Sequence, residues 1–468
     1  MTAAPILRAL RSPIAASREP LRLAEAFRKC HHEIDGHATI VRWARAWWLY
    51  DGVRFVELDD ELLRRRLWAF LDVVTVEERD EDGTTSIERV TATRGRVSEV
   101  QEALTKVMPA PGPNMPQWIA RQEDDPSPDD LVACANGLLD MRRLRLLRPT
   151  PRLFTTVALG AAWDPDAPAP RAWLDFLSSI WPDDPLSIRC LQQIFGYLLT
   201  ADTSQQKLFA LIGPARSGKG TIGRVLRALI GEDSVVNPTL ASLERPFGLA
   251  PFVGKLLAVI GDARLGGRGD QAQVVERLLS ISGEDALNVD RKNRDPINVR
   301  LRARVLLISN ELPRLYDTSG ALASRFVLLV CKRSFLGSED TSLERRLLAE
   351  LPAILRWAIE GRQDLAEEGR FVTSAASSEA IRDLEEIGSP VLAFVREKCR
   401  LGNDRWIEID ALYEQYAAWC ETVGRKADHK NGFARDMRAC VPDLEVENRR
   451  QPGQSDARKR VYRGIDLA

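Results

Sequence analysis

Histidine is scarce, with four in 468 residues, and the seven cysteines (Cys30, Cys134, Cys190, Cys331, Cys399, Cys420, Cys440) include no CxxC pair. A zinc site therefore has little to draw on. The one cluster, Cys30, His31, His32 and His37, has no finger spacing and reads as a solvated helix face. Odd, scattered thiols suit reduced cysteines in a cytoplasmic protein and exclude a secreted disulfide scaffold. No stretch approaches the ~20 apolar residues of a membrane span, so a membrane enzyme is excluded too. Charge of one sign is also lacking: the formal net charge is −1, so any nucleic-acid contact must come from local patches. The N-terminal residues carry Arg8, Arg11 and Arg18 without the apolar centre of a signal peptide, and read as a frayed arm. No internal repeat is present.

What is present is ordinary globular material, 44% apolar and 28% charged, enough for roughly three domains. Turn-rich stretches at Met108–Pro116, Asp164–Pro170 and Thr373–Ser378 mark expected boundaries. Helical apolar spacing covers Leu58–Leu71 and Val97–Met108. Trp43, Trp47 and Trp48, at helical or adjacent spacing, suit core packing better than base stacking. Leu131–Thr156 reads as short strands, with a hairpin turn at Asn136-Gly137. The central block then alternates apolar strands (Lys207–Ile212, Lys255–Ile260, Val305–Ser309, Phe326–Val330) with helices, which predicts a parallel sheet covered on both faces.

Between the first of these strands and a helix lies Gly213-Pro214-Ala215-Arg216-Ser217-Gly218-Lys219-Gly220-Thr221, a GxxxxGK phosphate loop in strand–loop–helix context. Glycines let backbone N–H groups approach phosphate oxygens, the helix N-terminus adds partial positive charge, and Lys219 is placed for the β- and γ-phosphates. The usual hydroxyl after the lysine is Gly220, and Thr221 carries it one residue later. Thr221 is therefore the expected Mg²⁺ ligand, with Ser217 as the lesser candidate. The GKGT form also occurs in nucleoside-monophosphate kinases.

Three further positions fit nucleotide hydrolysis. Asp262 follows a buried strand, where a Walker B acid would hold Mg²⁺. Ala263 and Arg264 follow it instead of a second acid, which leaves Glu276 and Glu284 as candidates for the water-polarising base. Asn310, at the tip of VLLIS, occupies the sensor position of ring ATPases. Arg325, just before Phe326–Val330, suits an arginine finger acting on a neighbouring subunit, with Arg314 as the alternative.

Read in order, LFALIGPARSGKGTIGRVL, LLAVIGDAR, and VDRKNRDPINV followed by VLLISNELP and GALASRF resemble the superfamily-3 helicases of the phage and plasmid primase–helicase family, related to the poxvirus primase–helicase. The resemblance runs from about Asn136 to about Leu467. It implies an AAA+-like α/β P-loop ATPase that uses ATP and Mg²⁺ and assembles as a ring, usually a hexamer, around single-stranded DNA. The family's DNA-tracking hairpin falls on Val289–Val299, whose Arg291, Lys292 and Arg294, with Asn293, put cations at a turn; Arg300, Arg302 and Arg304 follow. Such cations bind phosphate without reading sequence. No acidic primase triad precedes residue 130, since Asp59, Asp60 and Glu61 fall in a helical pattern.

The C-terminal segment predicts helices at Val391–Arg400, Ile409–Val423 and Gly432–Cys440. A hairpin follows, Leu444–Arg449 and Arg458–Arg463 around Gln451-Pro452-Gly453-Gln454. This is a winged-helix pattern. Arg425–Arg463 carries eleven Lys and Arg against six Asp and Glu, which suits duplex or origin binding or docking of another replication protein, such as a separate primase. The expected organisation is a mainly helical accessory domain (1–130), a linker or collar (131–200), the ATPase domain (201–372) and a region with a C-terminal winged helix (373–468). The expected function is an ATP-dependent DNA helicase for phage, prophage or plasmid replication, acting on single-stranded and forked DNA. The alternatives are a non-motor origin-binding initiator or nucleotide-gated switch, and a small-molecule P-loop kinase.

Overall fold

The computed structural model describes residues 14–79, 85–261, 271–317, 320–450 and 458–468. Trp43, Trp47 and Trp48 lie on strands, not on a helix. They belong to an antiparallel sheet of β1 (Ile40–Trp43), β2 (Ala46–Tyr50) and β3 (Phe55–Leu58). Successive strand residues face opposite ways. Trp47 thus enters one core with Leu23, Phe27, Leu67, Phe70 and Val97, while Trp43 and Trp48 enter the core under the central sheet. Three helices, α1 (Pro20–His31), α2 (Asp60–Val73) and α3 (Arg94–Val107), close the first core. Asp59 caps α2 by accepting from the Glu61 and Leu62 amides, and Thr93 caps α3 through the Arg96 amide, each meeting donors that a helix start leaves open.

Two expectations are corrected here. The N-terminal region is mixed α/β rather than mainly helical, because strands of four or five residues are too short for their period-two pattern to stand out from a helical one. Nor is the histidine cluster solvated throughout: His31 is exposed, but its neighbour is not. His32 is 2% exposed, with its ring 4.8 Å from that of Phe27.

The segment 131–200 is a packed layer, not a linker. It holds the antiparallel strands β4 (Leu131–Cys134), β5 (Gly137–Asp140) and β6 (Arg145–Leu147), then α4 (Arg171–Ile180) and α5 (Pro185–Leu198). Cys134 pairs with Gly137, so the turn residues are Ala135-Asn136, one position earlier than expected. Val132, Leu139, Trp173, Leu177 and Phe195 share one hydrophobic core with the central sheet.

The central strands are β7 (Leu208–Ile212), β8 (Val235–Val236), β9 (Leu257–Gly261), β12 (Arg304–Ser309) and β13 (Phe326–Val330), with the hairpin β10 (Ala286–Arg291) and β11 (Arg294–Arg300) inserted before β12. The five pair in the order β8-β9-β12-β7-β13, all parallel. Their side chains alternate between two cores. Phe209, Leu211, Val259 and Leu329 meet α5, α6 (Lys219–Ile230) and α9 (Leu351–Glu368). On the other face, Ala210, Ile260, Leu307 and Leu328 meet α7 (Gln271–Ser282), the hairpin residues Val289, Ile297 and Val299, and Trp43 and Trp48. This two-sided burial explains the unbroken apolar runs. A short helix, α8 (Ala321–Arg325), leads into β13.

Thr373–Ser378 is not a boundary. Ser374 caps α10 (Ala375–Gly388) by accepting from the Ser377 amide, and Ala380 and Leu384 of that helix pack into the sheet's core. The break comes at Ser389. Beyond it, α11 (Pro390–Lys398), α12 (Ile409–Thr422) and α13 (Lys430–Cys440) pack around Phe394, Leu412, Tyr416, Phe433 and Tyr462. A sheet of β14 (Cys399–Glu408), β15 (Glu445–Arg450) and β16 (Arg458–Leu467), in the order β14-β16-β15, completes the unit. Strand β14 was hidden in the sequence because a bulge between Gly402 and Trp406 breaks its alternation. The predicted loop at Gln451-Pro452-Gly453-Gln454 lies outside the described residues. Among the described residues no helix is long and apolar enough to cross a membrane.

Candidate functional site

The 213–218 loop joins β7 to α6, and its shape depends on backbone freedom at two glycines. Gly213 has φ 154°, and a Cβ there would come within 2.0 Å of the Cys331 carbonyl oxygen. Gly218 precedes α6 with φ 89°, where a Cβ would meet Ile180 Cδ1 at 2.6 Å. Both positions therefore select glycine on steric grounds.

Lys219 opens α6 and is 5% exposed. Its Nζ donates to the Gly213 and Pro214 carbonyls at 2.6 and 2.7 Å, to Ser217 Oγ at 3.0 Å and to Asn310 Oδ1 at 3.4 Å. Burial pushes the ammonium pKa down, because desolvation disfavours its charge. Asn310 arrives by register: Ile212 pairs with Ser309, so the residue after β12 stands level with the loop. Gly261 pairs with Ile308, which brings the end of β9 to the same edge. Asp262, the next residue, lies outside the described residues. Thr221 is half-buried one turn into α6, and its Oγ1 accepts from Arg224 Nη2 at 3.2 Å. A Cβ at Gly220 would meet the Arg224 side chain, at 3.3 Å.

The charge of Lys219 meets four neutral oxygens and, among the described residues, no carboxylate. A buried cation so placed, beside the amides of a helix N-terminus, can hold an anionic group.

Arg325 stands at the opposite end of the sheet. It ends α8, and the next residue, Phe326, pairs with Leu208 at the start of β7, a strand's length (about 16 Å) from the loop. Its Nη1 is buried and makes no hydrogen bond among the described residues. Arg325 thus cannot serve its own chain's loop, whereas Arg314, exposed four residues past Asn310, leaves β12 at the loop end. Glu284 is brought to the far end too: it has φ 65°, and its carboxylate accepts from the Thr203 hydroxyl. That placement removes it as a base for this loop. Glu276 is exposed on α7.

The hairpin forms where expected, with Lys292 and Asn293 at its turn and Asn293 at φ 59°. Lys292 is exposed. Arg294 donates to the Glu57 carboxylate, and Asp295 accepts from Arg45, so the tip is paired to the N-terminal sheet on both sides. Arg291 Nη2 donates to the Asp295 carbonyl at 3.3 Å. Of the arginines that follow, Arg304 does not belong to this patch. It is 4% exposed and donates to the Arg302, Leu198 and Thr200 carbonyls, holding the end of α5 onto the sheet.

Some contributors were not visible in the sequence. Ser334 Oγ donates to the Ala215 carbonyl and the Phe335 amide to the Arg216 carbonyl, both at 2.8 Å, so the chain beyond β13 clamps the loop's outer side. Beneath it, Phe176 and Ile180 of α4 support Gly218, and Trp181 Nε1 donates to the Val330 carbonyl at 2.8 Å. The Glu350 carboxylate accepts from the Ala172 and Trp173 amides at the start of α4, each at 3.0 Å. The hydrogen bonds among these contacts join residues over a hundred positions apart and leave no local motif.

Two families match this chain. A D5 N terminal like family matches residues 23–182, and a family of unknown function (DUF5906) matches residues 211–325. Among solved structures, the apo structure of the NrS-1 C terminal region (305-718) is 15% identical, covers 96% of this chain and 100% of that one, and superposes with a TM-score of 0.50. An A form apo structure of the same region is 14% identical, with 96% and 100% covered and a TM-score of 0.48. At such identity the first likeness concerns the fold alone: mixed α/β, with helices around a parallel sheet. The D5 N terminal like match covers the first third of the chain and the second match covers its strand–loop–helix core, and together they fit the primase–helicase family.

Proposed function

We propose that this protein is an ATP-dependent DNA helicase of phage, prophage or plasmid replication that moves along single-stranded DNA as a ring oligomer. One observation carries the reading: Lys219 and Asn310 converge to 3.4 Å at the carboxyl edge of adjacent parallel strands, around a loop whose buried cation lacks an acid partner among the described residues. ATP is the substrate that supplies the missing negative charge. In this reading Lys219 and the loop amides bind the β- and γ-phosphates, and the Asn310 amide orients the attacking water. Thr221 and Asp262 would hold Mg²⁺, which neutralises charge on the phosphates when bound. Arg325, too far from its own loop, completes the site of a neighbouring subunit, which is what makes a ring the working form. Lys292, with Arg291 and Arg294, contacts the DNA backbone.

Forked-duplex unwinding by the full chain tests this. Strand separation that requires ATP and is lost in Lys219→Ala supports it. Duplex binding without unwinding would favour a second reading, an origin-binding initiator. That reading rests on α13, which exposes Arg435 and Arg438 on a unit with its own hydrophobic core.

A further inference from the structure

The tip of the hairpin is held by charge. Arg294 pairs with Glu57 of β3, and the adjacent Asp295 pairs with Arg45 in the turn between β1 and β2. The two pairs run in opposite senses, so the contact fixes one alignment of hairpin and sheet. Glu57 also acts on Arg291, whose burial lowers its pKa while Glu57 opposes that shift. Among the described residues, Lys292 alone of the tip cations is exposed at the turn without an acid partner. The site proposed to grip DNA phosphates thus has one of its cations neutralised by a carboxylate from the N-terminal domain. This carboxylate lies on a strand anchored by Trp47 and Trp48, and Trp48 is the residue paired with Glu57 across β2 and β3.

We propose that Glu57 is an electrostatic latch: it occupies Arg294 in place of a DNA phosphate, and DNA binding requires its displacement. This rests on the reading of the hairpin as the DNA contact. Both members of the pair are part-exposed, at 36% and 45% of the side chain. Pairs of that exposure are weak and salt-sensitive, so a phosphate can replace the carboxylate. The N-terminal domain, which carries no primase motif, acquires a role as the holder of the motor's DNA contact in its resting alignment.

The test uses the full-length chain and a fluorescent oligo(dT) strand, with dissociation constants measured across a salt series. Glu57→Gln removes the latch charge at an exposed strand position. It is expected to tighten binding about threefold at low salt. It is also expected to steepen the dependence of log K on log salt by about 0.7, one added phosphate contact on a single strand. Glu57→Ala repeats the measurement should the glutamine keep a hydrogen bond to Arg294. Lys292→Ala, which touches no latch residue, is the control and weakens binding. If Lys292→Ala weakens binding while both Glu57 variants match the wild type in affinity and salt slope, the latch is overturned and the hairpin reading stands. If Lys292→Ala and Arg294→Ala both leave binding unchanged, the hairpin reading itself fails and the latch falls with it.

Discussion

His32 illustrates how far one buried side chain departs from its sequence reading. Burial, helped by the Arg66 charge, pushes its pKa down from 6.5 to about 3, and its Nδ1 has no hydrogen-bond partner among the described residues. The folded chain therefore keeps His32 neutral where the unfolded chain protonates it. The stability this confers is complete above pH 6.5 and is lost as the pH falls toward 3, at up to about 1.4 kcal/mol per pH unit. Urea unfolding at pH 7.5 and 5.5 should show a loss in the wild type that is about 1 kcal/mol greater than in His32→Leu; equal losses would contradict the assignment. Lys219 is displaced in the same direction by the same cause, while its Nζ donates hydrogen bonds to oxygens of Gly213, Pro214, Ser217 and Asn310.

At the scale of elements, α4 is the one whose role the sequence concealed. Its first amides are capped by Glu350 from the segment before α9, and its last turn supports Gly218 under the 213–218 loop. Glu350→Ala removes a charged cap from a helix N-terminus and should cost about 1–2 kcal/mol. Because α4 bears on the loop, the same variant should weaken nucleotide binding, measured with a fluorescent ATP analogue; lost stability with unchanged affinity would uncouple helix and loop. The central strands, the loop and the hairpin were legible because each is local: an apolar run, a glycine pattern, a cation-rich turn. What was not legible is long-range. The ends of β7 and β12 meet through parallel register, which no linear spacing encodes, and the Glu57–Arg294 pair joins residues 237 positions apart. The N-terminal strands were missed because two tryptophans in a row look alike on a short strand and on a helix, and only the partner faces distinguish them.

For the whole molecule, the consequence of that tryptophan pair is that the N-terminal domain and the central domain are one packed body. Trp48, 7% exposed, lies in the sheet's core with Phe154 while its neighbour Trp47 lies in the helical core. Trp48→Ala should destabilise the chain by about 3–5 kcal/mol and do so across both domains; thermal unfolding should shift as a whole rather than split into a lost N-terminal transition and an intact central one. A net charge of −1 for the chain conceals this arrangement, in which a cationic tip is balanced by acids of the neighbouring domain. The claim that unites these scales is that ATP hydrolysis at Lys219 is coupled to single-stranded DNA. Steady-state ATP hydrolysis by the full chain, measured against increasing oligo(dT), tests it most directly. The account predicts a rate that rises with DNA and saturates, and that is abolished with and without DNA in Lys219→Ala. A rate indifferent to DNA, or one that survives the loss of Lys219, would contradict it.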